Sequence, residues 1–157
     1  MIEKGDFVLM DYGAGYCDYR SDMTRTVVMG EPRKNSSTSY ALVRRTHEEC
    51  VAAIHPGVEG NDIFKLSKKI IGDAGYGDYY NHGLGHGVGI DIHELPNFNR
   101  SKNIIEVGSV ITMEPGVYLP AWAACVWRTT AWSPRTATSP SPRRRMTFTS
   151  SIASSFR

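Results

Sequence analysis

The stretch "NHGLGHGVGIDIHE", Asn81 to Glu94, poses the question that decides the fold. It carries His82, His86 and His93, three of the chain's five histidines, set among four glycines and a few apolar residues. Glycine weakens a strand, so repeated glycines mark a place where another group approaches the backbone closely. In an extended chain, side chains alternate, so His82 and His86 point to the same side. His93, seven positions past His86, needs a bend or bulge to join them, and glycine permits one. A lone histidine is more often structural than a ligand. Three within twelve positions, among glycines, put a binding site beside that bland reading.

The flanking segments supply the scaffold. "DFVLMDYGA" (6–14) and "RTVVMG" (25–30) read as strands, and the return between them pairs them antiparallel across residues 7–29. From Tyr40 to Ile54, inward positions Tyr40, Val43, His47, Cys50, Val51 and Ile54 recur every three or four residues, which predicts a helix closed by "HPG" at 55–57. A second helix, capped by Asn61 or Asp62, runs through Ile63, Leu66 and Ile70 to Ala74, with Gly75 ending it. "SVITM" (109–113) reads as a further strand. Strands, two helices, then strands make an α+β domain.

Three carboxylates stand out against this apolar background. Asp11 lies at the end of the first strand and Asp22 at the start of the returning segment, where a hairpin allows both to face one pocket. The ordinary alternatives are a turn-forming aspartate and an Asp22–Arg25 ion pair. Glu114 follows "SVITM", where an acid at the end of an apolar strand needs a cation, either an arginine or a metal. Asp11, Asp22, His86 and Glu114 together are a hard set of oxygens and one imidazole, with no thiolate. That set suits Mn²⁺, Co²⁺ or Zn²⁺ in a hydrolytic site. It exceeds what one ion needs, so two ions sharing a water are expected.

No apolar run reaches membrane-spanning length, and the start "MIEKGDFVLM" lacks the form of a signal peptide. Three scattered cysteines, Cys17, Cys50 and Cys125, argue against a disulfide framework and for a cytoplasmic location. The net charge of +2 conceals two unlike parts. Residues 1–120 hold all 16 acids and 12 of the 18 basic residues, whereas 121–157 hold six arginines and no acid. A basic arm for nucleic acid is one reading of that tail, but no aromatic–basic pattern or fold signature accompanies it.

Joint occurrence of "MDYGAGYCDYRSDMTRT", "HGLGHGVGIDIHE" and "ITMEPGVYLP" in this order resembles the pita-bread metallopeptidase family of methionine aminopeptidase, aminopeptidase P and prolidase. "GHGVG" with "DIHE" is most similar to the Xaa-Pro dipeptidase and aminopeptidase P branch, and the likeness spans roughly residues 1–120. It implies a partial pita-bread fold, a curved antiparallel sheet with helices on its outer face. It implies that Asp11 and Asp22 hold two divalent metal ions, Mn²⁺ or Co²⁺ before Zn²⁺, with His86 and Glu114 on one of them. Glu114 would also handle the proton of a bridging hydroxide, while His82 and His93 steady the substrate. The implied activity is removal of the first residue from short peptides with proline second, with no nucleic-acid or membrane partner and a homodimer left open. A non-catalytic pita-bread module that binds peptides or proteins is the alternative, and metal-free creatinase-like hydrolysis is a third reading that the retained acids disfavour.

Two departures qualify the likeness. Family catalytic domains carry a strand, a helix and another histidine ahead of the strand that opens this chain. They also carry a fifth ligand, a bridging glutamate in a pattern like "GLGGVRVED", where this chain reads "AWAACVWRTTAW" (121–132) with no acid. With synonymous codons chosen for the purpose, this segment and its continuation read one base earlier as "GLGGVRVEDDRVVTEDGY", and the three tryptophans constrain the choice because each has a single codon. "RKNSSTS" (33–39) similarly yields "EEQLDL". Residues 121–157 are therefore expected to be out-of-frame translation that does not pack, and activity is expected to be low or absent. Nucleotide sequence that fails to write "VED" one frame over would refute the shift.

Overall fold

The computed structural model describes residues 1–32, 34–120, 123–126 and 128–132. β1 (Phe7–Tyr12) and β4 (Met23–Val28) pair antiparallel, with Phe7 opposite Val28 and Asp11 opposite Thr24. The return between them forms a small hairpin of β2 (Gly15–Tyr16) and β3 (Tyr19–Arg20). Its two turn residues, Cys17 and Asp18, both take positive φ, as a tight hairpin turn requires.

α1 (Lys34–Ala53) begins six residues before the predicted start. Serines are indifferent helix formers, so periodicity missed the first turns. Packing decides instead: Ser36 and Ser39 are buried, extending inward the face that continues through Val43, His47 and Cys50. α2 (Gly60–Asp73) buries Ile63, Ser67, Ile70 and Ile71. Its expected cap is corrected. Glu59 occupies the cap position without a side-chain bond, Asn61 donates to the Asn99 carbonyl, and Asp62 accepts from Lys65. The Gly60 N–H is satisfied by the Asn103 carbonyl at 2.8 Å, so no side-chain cap is needed there. The end follows expectation: Gly75 has φ +82°, its N–H bonds the Gly72 carbonyl, and the Tyr76 N–H bonds that of Ile71, a Schellman closure.

A short 3₁₀ turn (Gly77–Tyr79) leads to β5 (Gly85–Gly87), then β6 (Glu94–Phe98), β7 (Val110–Met113), β8 (Gly116–Leu119), β9 (Ala123–Val126) and β10 (Thr129–Trp132). Among the described residues the strands pair antiparallel in four sheets, the largest ordered β10-β7-β5-β6. A single bridge between Thr24 and Arg128 joins β4 to the β10 end. One apolar cluster joins Cys50, Ile54 and Ile63 of the helical side to Leu84, Phe98, Ile111 and Met113 of the sheet. A second groups Val43, Ile71, Tyr80, Val117 and Cys125. No helix among the described residues is long and apolar enough to cross a membrane.

The expectation that 121–157 does not pack fails for β9 and β10. β9 pairs with β8, β10 pairs with β7, and Cys125 and Val126 are buried. Strand pairing draws on backbone groups that any sequence carries, and two modest apolar side chains fill the space beneath. Thr26 reinforces the join, donating through Oγ1 to the Val126 carbonyl at 2.8 Å. Residue 120 is thus no structural boundary, and the same expectation for 133–157 lies outside the described residues.

Candidate metal centre

Asp11 and Asp22 approach one another through the β1–β4 ladder. Thr24, opposite Asp11, donates to Asp11 Oδ1 at 3.2 Å. Asp22 stands two residues before Thr24, hence on the same side of the strand, and is buried, whereas the Asp11 side chain is half exposed. β5 contributes His86, buried and oriented by its Nδ1, which donates to the Gly87 carbonyl at 2.9 Å. Its Nε2 lies 3.2 Å from both Asp22 Oδ2 and Glu114 Oε1. Neither approach is a hydrogen bond, so Asp22 Oδ2 and His86 Nε2 are buried polar atoms without a hydrogen-bond partner. Such atoms are costly to bury unless something satisfies them.

Glu114 follows β7 and is buried. Thr112, two residues earlier on the same strand face, donates to Glu114 Oε1 at 3.0 Å and accepts the His86 backbone N–H at 3.0 Å. The cation that meets the acids is Arg128. Its Nε and Nη2 reach Glu114 Oε2 at 2.7 and 2.5 Å, and its Nη1 reaches Asp11 Oδ1 at 3.0 Å and also contacts Asp22 Oδ1. Burial opposes ionisation of Glu114, but His86 and Arg128 outweigh it and hold its carboxyl below the usual range. Burial likewise disfavours the His86 cation, yet the Glu114 carboxylate, the Gly87 carbonyl and Asp22 raise its pKa.

The other two histidines take separate places. The register of β5 against β6 shifts between His86 and Gly87, a bulge of the kind the spacing demanded. It brings the His93 ring to 4.1 Å from that of His86, centre to centre. One ligand atom each from Asp22, His86 and His93 lie within 4.8 Å of one another, so His93 stands at ligand distance. His82 is held elsewhere on the wall: its Nε2 meets the Tyr118 hydroxyl at 3.0 Å and its Nδ1 donates to the Gly83 carbonyl. A cavity of about 480 Å³ runs over these residues, lined by His82, His86, His93, Glu114, Tyr118 and Arg128 among others. The close approach expected at the glycines is that of backbone. A Cβ on Gly85 or Gly87 would strike the backbone oxygen of Thr112 or Leu95, so these two residues admit neighbouring strands, not substrate.

Residues 1–133 match the metallopeptidase family M24. The chain belongs to that family. It is 41% identical over 120 residues to the Xaa-Pro dipeptidase of Pyrococcus horikoshii, covering 76% of this chain and 34% of that protein. The prolidase structure from the same organism superposes with a TM-score of 0.83 at 37% identity, over 85% of this chain and 39% of that one. The X-Pro aminopeptidase of Thermotoga maritima gives 0.81 at 30% identity, over 84% and 38%. The fold is therefore α+β of the pita-bread kind, and the chain spans about a third of the length of the curated relatives it matches.

Sequence reasoning expected Asp11, Asp22, His86 and Glu114 to converge, and the structure brings the four side chains together around His86 and Arg128. It missed Arg128, Thr112, Thr24 and Tyr118. Thr112 was discoverable, since position 112 shares the strand face of Glu114. Arg128 was hidden in a tail discounted as non-packing. In the expected shifted frame, the glutamate of "GVRVED" would fall at position 128, where the chain has arginine. A divalent cation suits one half of the site. Asp22 Oδ2 and His86 Nε2 lack partners, and Glu114 Oε1 completes a hard donor set beside them. The other half, bounded by Asp11 Oδ1, Asp22 Oδ1 and Glu114 Oε2, is filled by the Arg128 guanidinium.

Proposed function

We propose that the chain carries the metal-binding part of an exopeptidase of the Xaa-Pro dipeptidase or aminopeptidase type, with strongly reduced turnover. The observation that carries this reading is the convergence of two unpartnered buried atoms, Asp22 Oδ2 and His86 Nε2, beside Glu114. Asp22, His86 and Glu114 would hold Mn²⁺, Co²⁺ or Zn²⁺, with Asp11 and His93 near at hand. A divalent ion there supplies Lewis acidity toward a scissile carbonyl and acidifies water. The chain's own groups do the rest. The cavity over them, about 480 Å³, has the volume of a small-molecule site. His82, held by Tyr118, presents an imidazole on its wall. His93, at the exposed rim, offers a second one to an incoming peptide. Glu114 is the group positioned to accept a proton, but its Oε2 is engaged by the Arg128 guanidinium, which supports low turnover. The substrate class, short peptides with proline second, and a cytoplasmic setting come from the named relatives and the cysteine pattern.

The test is Mn²⁺-dependent release of the first residue from an Xaa-Pro dipeptide. Slow release that stops with chelator and with His86→Ala is expected. Hydrolysis indifferent to chelator would overturn the reading. One observation favours the non-catalytic peptide-binding module instead: Arg128 neutralises part of the acid cluster. Elemental analysis after dialysis against Mn²⁺ separates the two, because a module of that kind retains no metal.

A further inference from the structure

We propose that Arg128 is a built-in second cation: its guanidinium sits among Asp11, Asp22 and Glu114, so that this chain takes one divalent ion where its carboxylates would otherwise take two. The inference rests on the metal-centre reading above and sharpens it.

Three observations carry it. First, the guanidinium engages one oxygen from each of the three acids, while the opposite oxygens, Asp22 Oδ2 and Glu114 Oε1, turn toward His86. Each of these two carboxylates is thus shared, one oxygen on a resident cation and the other 3.2 Å from an imidazole nitrogen that has no hydrogen-bond partner. Second, the arginine is fixed in place. Its N–H bonds the Thr24 carbonyl, its own carbonyl accepts from Arg25 Nη1 at 2.7 Å, and its side chain is only 15% exposed. A guanidinium cannot shed its charge to make room, and its planar fork suits carboxylate oxygens. Third, charge balances at one ion. Three carboxylates against one guanidinium leave two negative charges, which one divalent ion cancels. A second ion would bring two uncompensated positive charges into contact distance of the guanidinium, in a partly buried place where such repulsion is weakly screened.

Counting ions tests this without reference to turnover. The metal-free full-length chain is titrated with Mn²⁺ by equilibrium dialysis, and the bound ion is read by electron paramagnetic resonance. The wild-type chain and Arg128→Lys should each hold one Mn²⁺ per chain, with the resolved six-line signal of an isolated ion. Arg128→Met, which removes the charge at similar length, and Arg128→Glu, which adds an acid, should each hold two, with the broadened signal of a coupled pair. His86→Ala should drop the wild-type count to zero. A wild-type count of two overturns the inference and leaves the metal-centre reading standing. Folded Met and Glu variants that still hold one ion also overturn it, because the guanidinium is then not what excludes the second. No binding by any variant overturns the metal-centre reading itself, and this inference with it. Circular dichroism identifies variants that fail to fold, and a wild-type count of two overturns the inference without them.

Discussion

Thr112 shows how much one hydroxyl can settle. Its proton goes to Glu114 Oε1 while its lone pair takes the His86 N–H, so two site elements share one post. Thr112→Val keeps the shape and removes both bonds. A buried N–H left without an acceptor costs about 1–3 kcal/mol. Loss of such a supporting contact weakens metal affinity by about 10–100-fold. Mn²⁺ titration of the variant measures this, and unchanged affinity would show that Thr112 is only a packing residue. His47 makes the other residue-level prediction. Burial lowers its pKa from 6.5 to about 4, and its Nε2 meets Thr129 Oγ1 at 2.7 Å. The folded state therefore binds the proton more weakly than the unfolded chain. Stability from this group is full above the unfolded pKa and falls as pH drops from 6.5 toward 4. Between pH 7.5 and 5 the loss should be about 2 kcal/mol. Urea unfolding of the wild type against His47→Gln reads it as a pH dependence that flattens in the variant.

At the scale of elements, two glycines separate conformation from space. Gly75 has φ +82° and no atom within 4 Å of a built Cβ, so Gly75→Ala meets strain alone, about 1 kcal/mol. Gly85 stands where a Cβ would run into the Thr112 backbone, so Gly85→Ala must push β5 away from β7. Overpacking of that kind costs about 1–3 kcal/mol, and it displaces His86 as well. Thermal melts should rank Gly85→Ala well below Gly75→Ala, and only the former should lose Mn²⁺ binding. Equal melting temperatures would mean that the β5–β7 contact is slack. The two helices illustrate the matching point about legibility. α2 announced itself through Ile63, Ile70 and Gly75, because bulky apolar periodicity and a left-handed glycine are local signals. The first turns of α1 did not, because Ser36 and Ser39 are inward only by virtue of what they pack against.

Across the whole molecule, β9 and β10 close structure that begins a hundred residues earlier. Thr26 bonds Val126, Thr24 bridges Arg128, and Cys125 fills the cluster around Val117. A chain cut after residue 120 would open that cluster and leave β7 and β8 with unpaired edges, an invitation to association. It should elute as larger species and unfold at lower urea than the 157-residue chain. A monomeric, equally stable product would restore the view that residue 120 ends the structured part.

The sequence by itself determined the family, the two-aspartate hairpin and the convergence of His86 with Glu114. Each of these is a chemical outlier, an acid or an imidazole, at the end of an apolar strand or among glycines, and such outliers are visible one segment at a time. Only the tertiary structure decided which cation meets the acids. Arg128 lies 117 positions from Asp11 and 106 from Asp22, so no local pattern ties them together. Its role follows from a strand register and from Coulomb attraction across a gap that folding alone closes.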